Sequence, residues 1–138
     1  MKTNAQLGKE VIGVVEAVGK AYVACDAEAV VKCFSSKLPI VVIGTAKEDR
    51  RLGIEQLRKQ VENDLKKHPK GYSMTLRNPV ICQNGDTIWL AADCENRDME
   101  TNVKADDSRL TVVLVNEDKQ WKIVQWHKSR PYGAGVTA

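Results

Sequence analysis

Residues 109–131, RLTVVLVNEDKQWKIVQWHKSRP, contain two apolar runs joined by a short polar turn, and their alternation decides what kind of sheet the chain builds. Successive side chains of a strand point to opposite faces. In the second run the odd positions are Trp121, Ile123, Gln125, His127 and Ser129, and the even ones Lys122, Val124, Trp126 and Lys128. In the first run Val113 and Val115 share one face, and Leu110, Val112 and Leu114 the other. Neither run is apolar on one side and polar on the other, as a sheet with one wet face would be. Both faces are therefore expected to be covered, one by helices and the other by a second chain or a ligand.

The turn sets what lies beside His127. An odd number of unpaired residues in NEDKQ places Arg109 opposite His127, Thr111 opposite Gln125 and Val113 opposite Ile123, whereas an even number puts Leu110 there. The odd connection is favoured because it gathers Arg109, Thr111, Gln125, His127 and Ser129 at one end of a face whose other end is Trp121, Ile123, Val113 and Val115. Apolar walls with a few convergent polar groups are how small-molecule pockets are lined. On this reading Val112, Leu114, Val124 and Trp126 lie on the outer face and form a homodimer contact.

Working back toward the N-terminus, three further runs, YSMTLRNPVIC, TIWLAADCEN and SRLTVVLVN, precede the last strand and give a four-stranded antiparallel meander. The Asn84–Gly85 pair predicts a type I′ hairpin, which needs positive φ at both central residues. The polar stretch between Asn96 and Asp107 reads as a long exposed loop. The first half is helical. Leu7, Val11, Val14, Val18, Tyr22 and Cys25 recur every three or four residues, Asp26 is placed to cap a second short helix, and Ile54, Leu57, Val61 and Leu65 mark a third that ends in cations before Pro69. Between the last two, IVVIG is too short and too β-branched for a helix and reads as a strand.

The 138 residues, 43% apolar and 28% charged, suit one globular domain, here residues 1–131, with the glycine-rich end 132–138 as a flexible tail. The net charge of +3 comes from lysines and arginines interleaved with acids, which disfavours nucleic-acid binding. Glu10, Glu16 and Lys20 interrupt the first apolar stretch, so no membrane span is expected. Cys25, Cys33, Cys82 and Cys94 form no C-x-x-C pair and read as reduced thiols, implying a cytoplasmic home and no metal site.

The helix-helix-strand-helix-meander order, the segment VVIGTAKEDRRLGIEQLRKQVENDL and the ending RLTVVLVNEDKQWKIVQWHKSRP together resemble the SnoaL-like branch of the nuclear transport factor 2-like superfamily. The resemblance implies an α+β, cone-shaped, cystatin-like fold in which a curved antiparallel sheet wraps round three helices, often dimeric through the outer sheet face. The family's frequent ending, Trp-x-Ile then His-x-His-x-Ser-x-Pro, is matched by Trp121, Ile123, His127, Ser129 and Pro131, with Gln125 in the first histidine's place.

Three functions are compatible with these residues. One is a small-molecule-binding protein, needing no cofactor, whose pocket is lined by Trp89, Arg109, Trp121, Gln125 and His127. The second is a cofactor-independent lyase, isomerase or polyketide-cyclase-like enzyme in which Asp93 or His127 moves a proton. The third is a dimeric assembly domain of the kinase-association kind. Gln125 cannot exchange protons near neutral pH, which favours binding over a two-histidine relay. Tyr22 and Tyr72 could offer phenolic hydroxyls to a cavity, but core packing explains both, and His68 is explained by its place at a helix C-terminus.

Overall fold

The computed structural model describes residues 4–132, so positions 133–138 of the expected tail lie outside the described residues. The element order is α1 (Asn4–Val23), α2 (Ala27–Lys32), β1 (Val41–Ile43), β2 (Arg50–Leu52), α3 (Ile54–Lys67), β3 (Tyr72–Asn84), β4 (Thr87–Asp98), β5 (Lys104–Glu117) and β6 (Gln120–Ser129). The six strands form a single sheet in the order β2-β1-β6-β5-β4-β3. β3 to β6 are the expected antiparallel meander, but β1 joins β6 in parallel, so the sheet is mixed. β2 is a strand the sequence reading did not anticipate. Its three residues RRL carry no apolar run; they pair with β1 and are tied to α3 by the Leu52 N–H, which donates to Gln56 Oε1 at 2.8 Å.

The helices cover one face. Val11, Val15 and Val18 of α1, Val30 and Val31 of α2, and Leu57 and Val61 of α3 are buried against Ile88, Leu90, Leu110, Val112, Leu114 and Ile123 of the sheet. Helical spacing produces the first set, and strict alternation along β4 and β5 the second. Asp26 caps α2 as expected, its carboxylate accepting from the Ala29 N–H at 3.0 Å. All four cysteines are free thiols.

Several local expectations change. The loop after β4 is only residues 99–103, because the strands continue through the polar stretch and pair across it. In the β3–β4 hairpin Asn84 pairs with Thr87, so Gly85 and Asp86 make the turn and only Gly85 has positive φ. The hairpin with positive φ at both central residues is β5–β6, at Asp118 (50°) and Lys119 (68°). That connection is therefore even, since Glu117 pairs with Gln120.

The decisive departure is a β-bulge in β6. Leu114 pairs with Ile123 while Val113 pairs with Gln125, which leaves Val124 unopposed. Alternation restarts after Val124: Trp121 and Ile123 point to the helices, and beyond the bulge so do Trp126 and Lys128. The bulge falls where β6 changes partner. Ile123 exchanges backbone hydrogen bonds with Cys33 and Ser35 at 2.9 Å each, whereas Gln125, Trp126 and His127 run alongside β1. The face assignment made from strict alternation is thereby corrected. Val112 and Leu114 are fully buried beneath the helices, Trp126 is inward, and Arg109, Thr111, Gln125 and His127 share the outer face. The even turn and the one-residue bulge combine to set Thr111 opposite His127 and Arg109 opposite Ser129, one pair further along than expected.

Candidate functional site

A pocket of about 360 Å³ opens between the helices and the inner face of the sheet at its β1 end. Its apolar wall includes Val18 of α1, Val30 of α2, Phe34, Val42 of β1, Leu57 of α3, Met74 of β3 and Trp126 of β6. Phe34 and Trp126 approach with ring centroids 6.3 Å apart, a tilted pair that closes one side.

The polar groups converge from several elements. α3 contributes Gln60 and Asp64, one turn apart on the face beside its buried Leu57 and Val61, and His68 follows four residues on as its C-cap. The Tyr22 hydroxyl of α1 donates to Asp64 Oδ2 at 3.3 Å, and Gln60 Nε2 donates to Asp64 Oδ1 at 2.8 Å. Arg51 of β2 donates through Nη2 to Gln60 Oε1. Arginine has only donors to offer, so it fixes the Gln60 amide with its oxygen toward Arg51 and its nitrogen toward Asp64. Arg51 is itself held by the carbonyls of Glu48 and Arg50, at 2.8 and 3.0 Å. The result is a chain from backbone to Arg51, Gln60, Asp64 and Tyr22.

Burial in this setting raises the Asp64 carboxyl above the ordinary carboxylate range; the hydrogen bonds from Gln60 and Tyr22 offset part of the rise. Burial likewise raises the Tyr22 phenol, with the charge of Asp64 adding to the effect, so it stays protonated at any working pH. His68 Nδ1 lies 3.5 Å from Asp98 Oδ2, and its ring sits 4.6 Å from that of Tyr72. Asp98 accepts from the N–H groups of Thr101 and Glu100, which hold its carboxyl below the usual range. Asp49, Lys128 and Arg130 complete the charged lining.

Asp64 makes a pH-dependent contribution of definite sign. Its folded value lies above its unfolded one, so the native state binds more protons there and stability falls as pH rises. Wild type is expected to lose melting temperature relative to Asp64→Asn as pH climbs from about 4, the ordinary carboxylate value, through the raised one. Paired thermal melts across that window check it; a difference that stays flat refutes it.

None of the residues proposed from sequence lines this pocket. Trp89 (45% exposed), Asp93, Arg109 and Gln125 are exposed on the outer face with half-buried His127, where Asp93 pairs with Arg109 across β4 and β5 and accepts from Asn78 at 3.2 Å. Trp121 is buried on the inner face, before the bulge and away from the pocket. The strand alternation that grouped these residues is interrupted by Val124. The residues that do converge were legible in part: Gln60, Asp64 and His68 form a polar stripe at four-residue spacing on an otherwise amphipathic helix. Tyr22 and Tyr72, whose hydroxyls core packing was enough to explain, both line the pocket.

The SnoaL-like domain model matches residues 11–133. A protein of unknown function with a cystatin-like fold from Nostoc punctiforme superposes with a TM-score of 0.80 at 15% identity, covering 95% of each chain. A nuclear transport factor 2-like protein of unknown function from Pseudomonas putida KT2440 gives a TM-score of 0.80 at 14% identity, covering 99% of this chain and 95% of that one. A comparison with curated protein sequences finds no match. Helices packed on a mixed, six-stranded sheet, a family match along nearly the whole chain, and close superposition on these structures agree: the protein belongs to the SnoaL-like family and has the α+β, cystatin-like fold of these nuclear transport factor 2-like structures.

Proposed function

We propose that the chain is a small-molecule-binding protein whose ligand sits in the pocket between the helices and the inner sheet face. The observation that carries this reading is the pocket itself: about 360 Å³, walled by aliphatic and aromatic side chains, with Tyr22, Asp64 and His68 converging on it. Pockets that bury most of a small ligand run from about 300 to 1,000 Å³ and have this composition. The site proposed from sequence moves accordingly, from Trp89, Arg109, Trp121, Gln125 and His127 to the lining named above.

Titration with the fluorescent apolar dye 8-anilinonaphthalene-1-sulfonate tests the location. Saturable binding is expected in wild type, weakened roughly tenfold by Trp126→Ala, which removes one aromatic wall worth about 1–3 kcal/mol. His127→Ala and Arg109→Met should leave affinity unchanged. Loss of binding in those two variants, or none in wild type, refutes the assignment.

The reading includes a homodimer through the outer sheet face, the contact now moved to the residues that lie there. Val80 and Trp89 are 61% and 45% exposed, with Cys82, Val113 and Val115 beside them across the strands. An apolar patch on a sheet face favours a protein partner over water. As for the membrane, no helix among the described residues is long and apolar enough to cross one.

A further inference from the structure

We infer that the ligand of this pocket is an apolar amine, its protonated nitrogen seated against Asp64 and its body against the aromatic and aliphatic wall. The inference rests on the binding pocket proposed above and gives its occupant a charge.

The sign follows from how the charged groups of the lining are already engaged. Arg51 directs its guanidinium to Gln60 Oε1 and to the carbonyls of Glu48 and Arg50, and its Nη2 stands 3.9 Å from Asp49 Oδ1. His68 has a carboxylate of its own, Asp98, at 3.5 Å. Lys128 and Arg130 each hold an interaction already. No cation of the lining therefore stands ready for a ligand anion. Asp64 is the converse case. Its donors are the Tyr22 phenol at 3.3 Å and the Gln60 amide at 2.8 Å, one on each oxygen and both neutral, and among the described residues no lysine or arginine pairs with it. A carboxylate has about four lone-pair positions, so two donors leave room for a third. Arg51 holds the Gln60 oxygen, so Gln60 presents its N–H to Asp64 and the open positions keep their direction before a ligand enters.

A carboxylate withdrawn from water without a counter-charge is costly, and a cation within hydrogen-bond reach offsets that cost. Burial is the largest influence on Asp64 and raises its carboxyl; the charge of Asp49, which lines the same pocket, adds to the rise, while the hydrogen bonds of Gln60 and Tyr22 and a protonated His68 work against it. A ligand ammonium shifts this balance. It donates to the open lone pairs of Asp64 in a charge-assisted hydrogen bond and favours the ionised carboxylate. A ligand carboxylate in the same place would meet Asp64 and Asp49 with the cations of the wall already committed. The wall suits an amine as well: Phe34, Trp126, Tyr22 and Tyr72 all line the cavity, and aromatic rings attract an ammonium through their faces.

Three compounds with one apolar body test the sign: 4-phenylbutylamine, 4-phenylbutan-1-ol and 4-phenylbutanoate, each titrated into the full chain by calorimetry near neutral pH. Wild type is expected to bind the amine at least about tenfold more tightly than the alcohol, the scale on which an ionised donor exceeds a neutral one, and the carboxylate most weakly. Asp64→Asn keeps the shape of the side chain and loses its charge; it should bind amine and alcohol alike and retain most of the wild-type affinity for the alcohol. An amine that binds no more tightly than the alcohol in wild type, a carboxylate that binds tightest, or an amine preference that survives in folded Asp64→Asn overturns the inference, and the pocket stands as long as 8-anilinonaphthalene-1-sulfonate, whose rings report the apolar wall, still binds. The wild-type series needs no variant, so it decides the matter even if Asp64→Asn fails to fold. Failure of the dye and of all three compounds to bind overturns the pocket and the inference together.

Discussion

Gly71→Ala is expected to destabilise the protein by about 3 kcal/mol or more, far beyond the average single substitution. Gly71 follows the turn between α3 and β3 at φ +71°, a left-handed conformation that costs an L-residue about 1 kcal/mol by itself. The larger cost is a collision. A Cβ there would stand 2.0 Å from the Tyr22 carbonyl oxygen and 2.7 Å from its carbon, which are backbone atoms with no side-chain freedom to retreat. Gly71 is also tied at both ends of its peptide, its N–H donating to the His68 carbonyl at 2.8 Å and its carbonyl accepting from the Met99 N–H at 3.1 Å. The end of α1 must therefore move off β3, and Tyr22 with it, so ligand affinity should fall along with stability. Thermal melts show the effect as a drop of roughly 10 °C, taking about 2–4 °C per kcal/mol for a chain of this size. Gly85→Ala is the control: φ is +60° but nothing lies within 4 Å, so only the conformational cost of about 1 kcal/mol remains. Equal losses in the two variants would show that the α1–β3 approach is not the constraint.

A pair of substitutions on adjacent residues separates the two faces of the sheet. Leu114 is fully buried, paired with Ile88 on β4 and Ile123 on β6, and an unpaired carboxylate there has no partner and no water. Leu114→Asp is expected to cost about 4 kcal/mol or more, most of the stability of a domain at the low end of the usual range of about 5–15 kcal/mol. Val113, one residue earlier, faces the other way between Trp89 and Gln125. Val113→Asp should leave the folded chain within about 1 kcal/mol of wild type while shifting light scattering from dimer to monomer at micromolar concentration, since the new charges would meet across the proposed contact. Denaturant titrations read the first effect and light scattering the second. A stable Leu114→Asp variant would restore the face assignment that strict alternation suggests; a Val113→Asp variant with the mass of wild type would remove the outer-face dimer.

What the sequence determined by itself was the list of elements, β2 excepted, and the family. The helical spacing of Val11 and Val18, the stripe Leu57–Val61, the β-branched run at 40–43 and the four alternating strands are local properties, each visible within a window of ten or so residues. The apolar character of both faces of β5 and β6 was equally local. Which face is which was not. That depended on the even β5–β6 turn and on a single unpaired residue, Val124, which falls where β6 passes from the Cys33–Ser35 segment to β1. A change of partner in space leaves no mark on the strand that undergoes it, and one extra residue in a period of two inverts everything after it. So His127, Arg109 and Gln125 were rightly grouped with one another and placed on the wrong side of the sheet. The same limit explains the site. Asp64 and His68 could be seen as a stripe on α3, but Tyr22, 42 residues away, and Arg51, on a strand too short to read, meet that stripe only when α1 and β2 have packed around it. Local periodicity sets the elements; the pocket is made of contacts between them, and those are decided by tertiary packing.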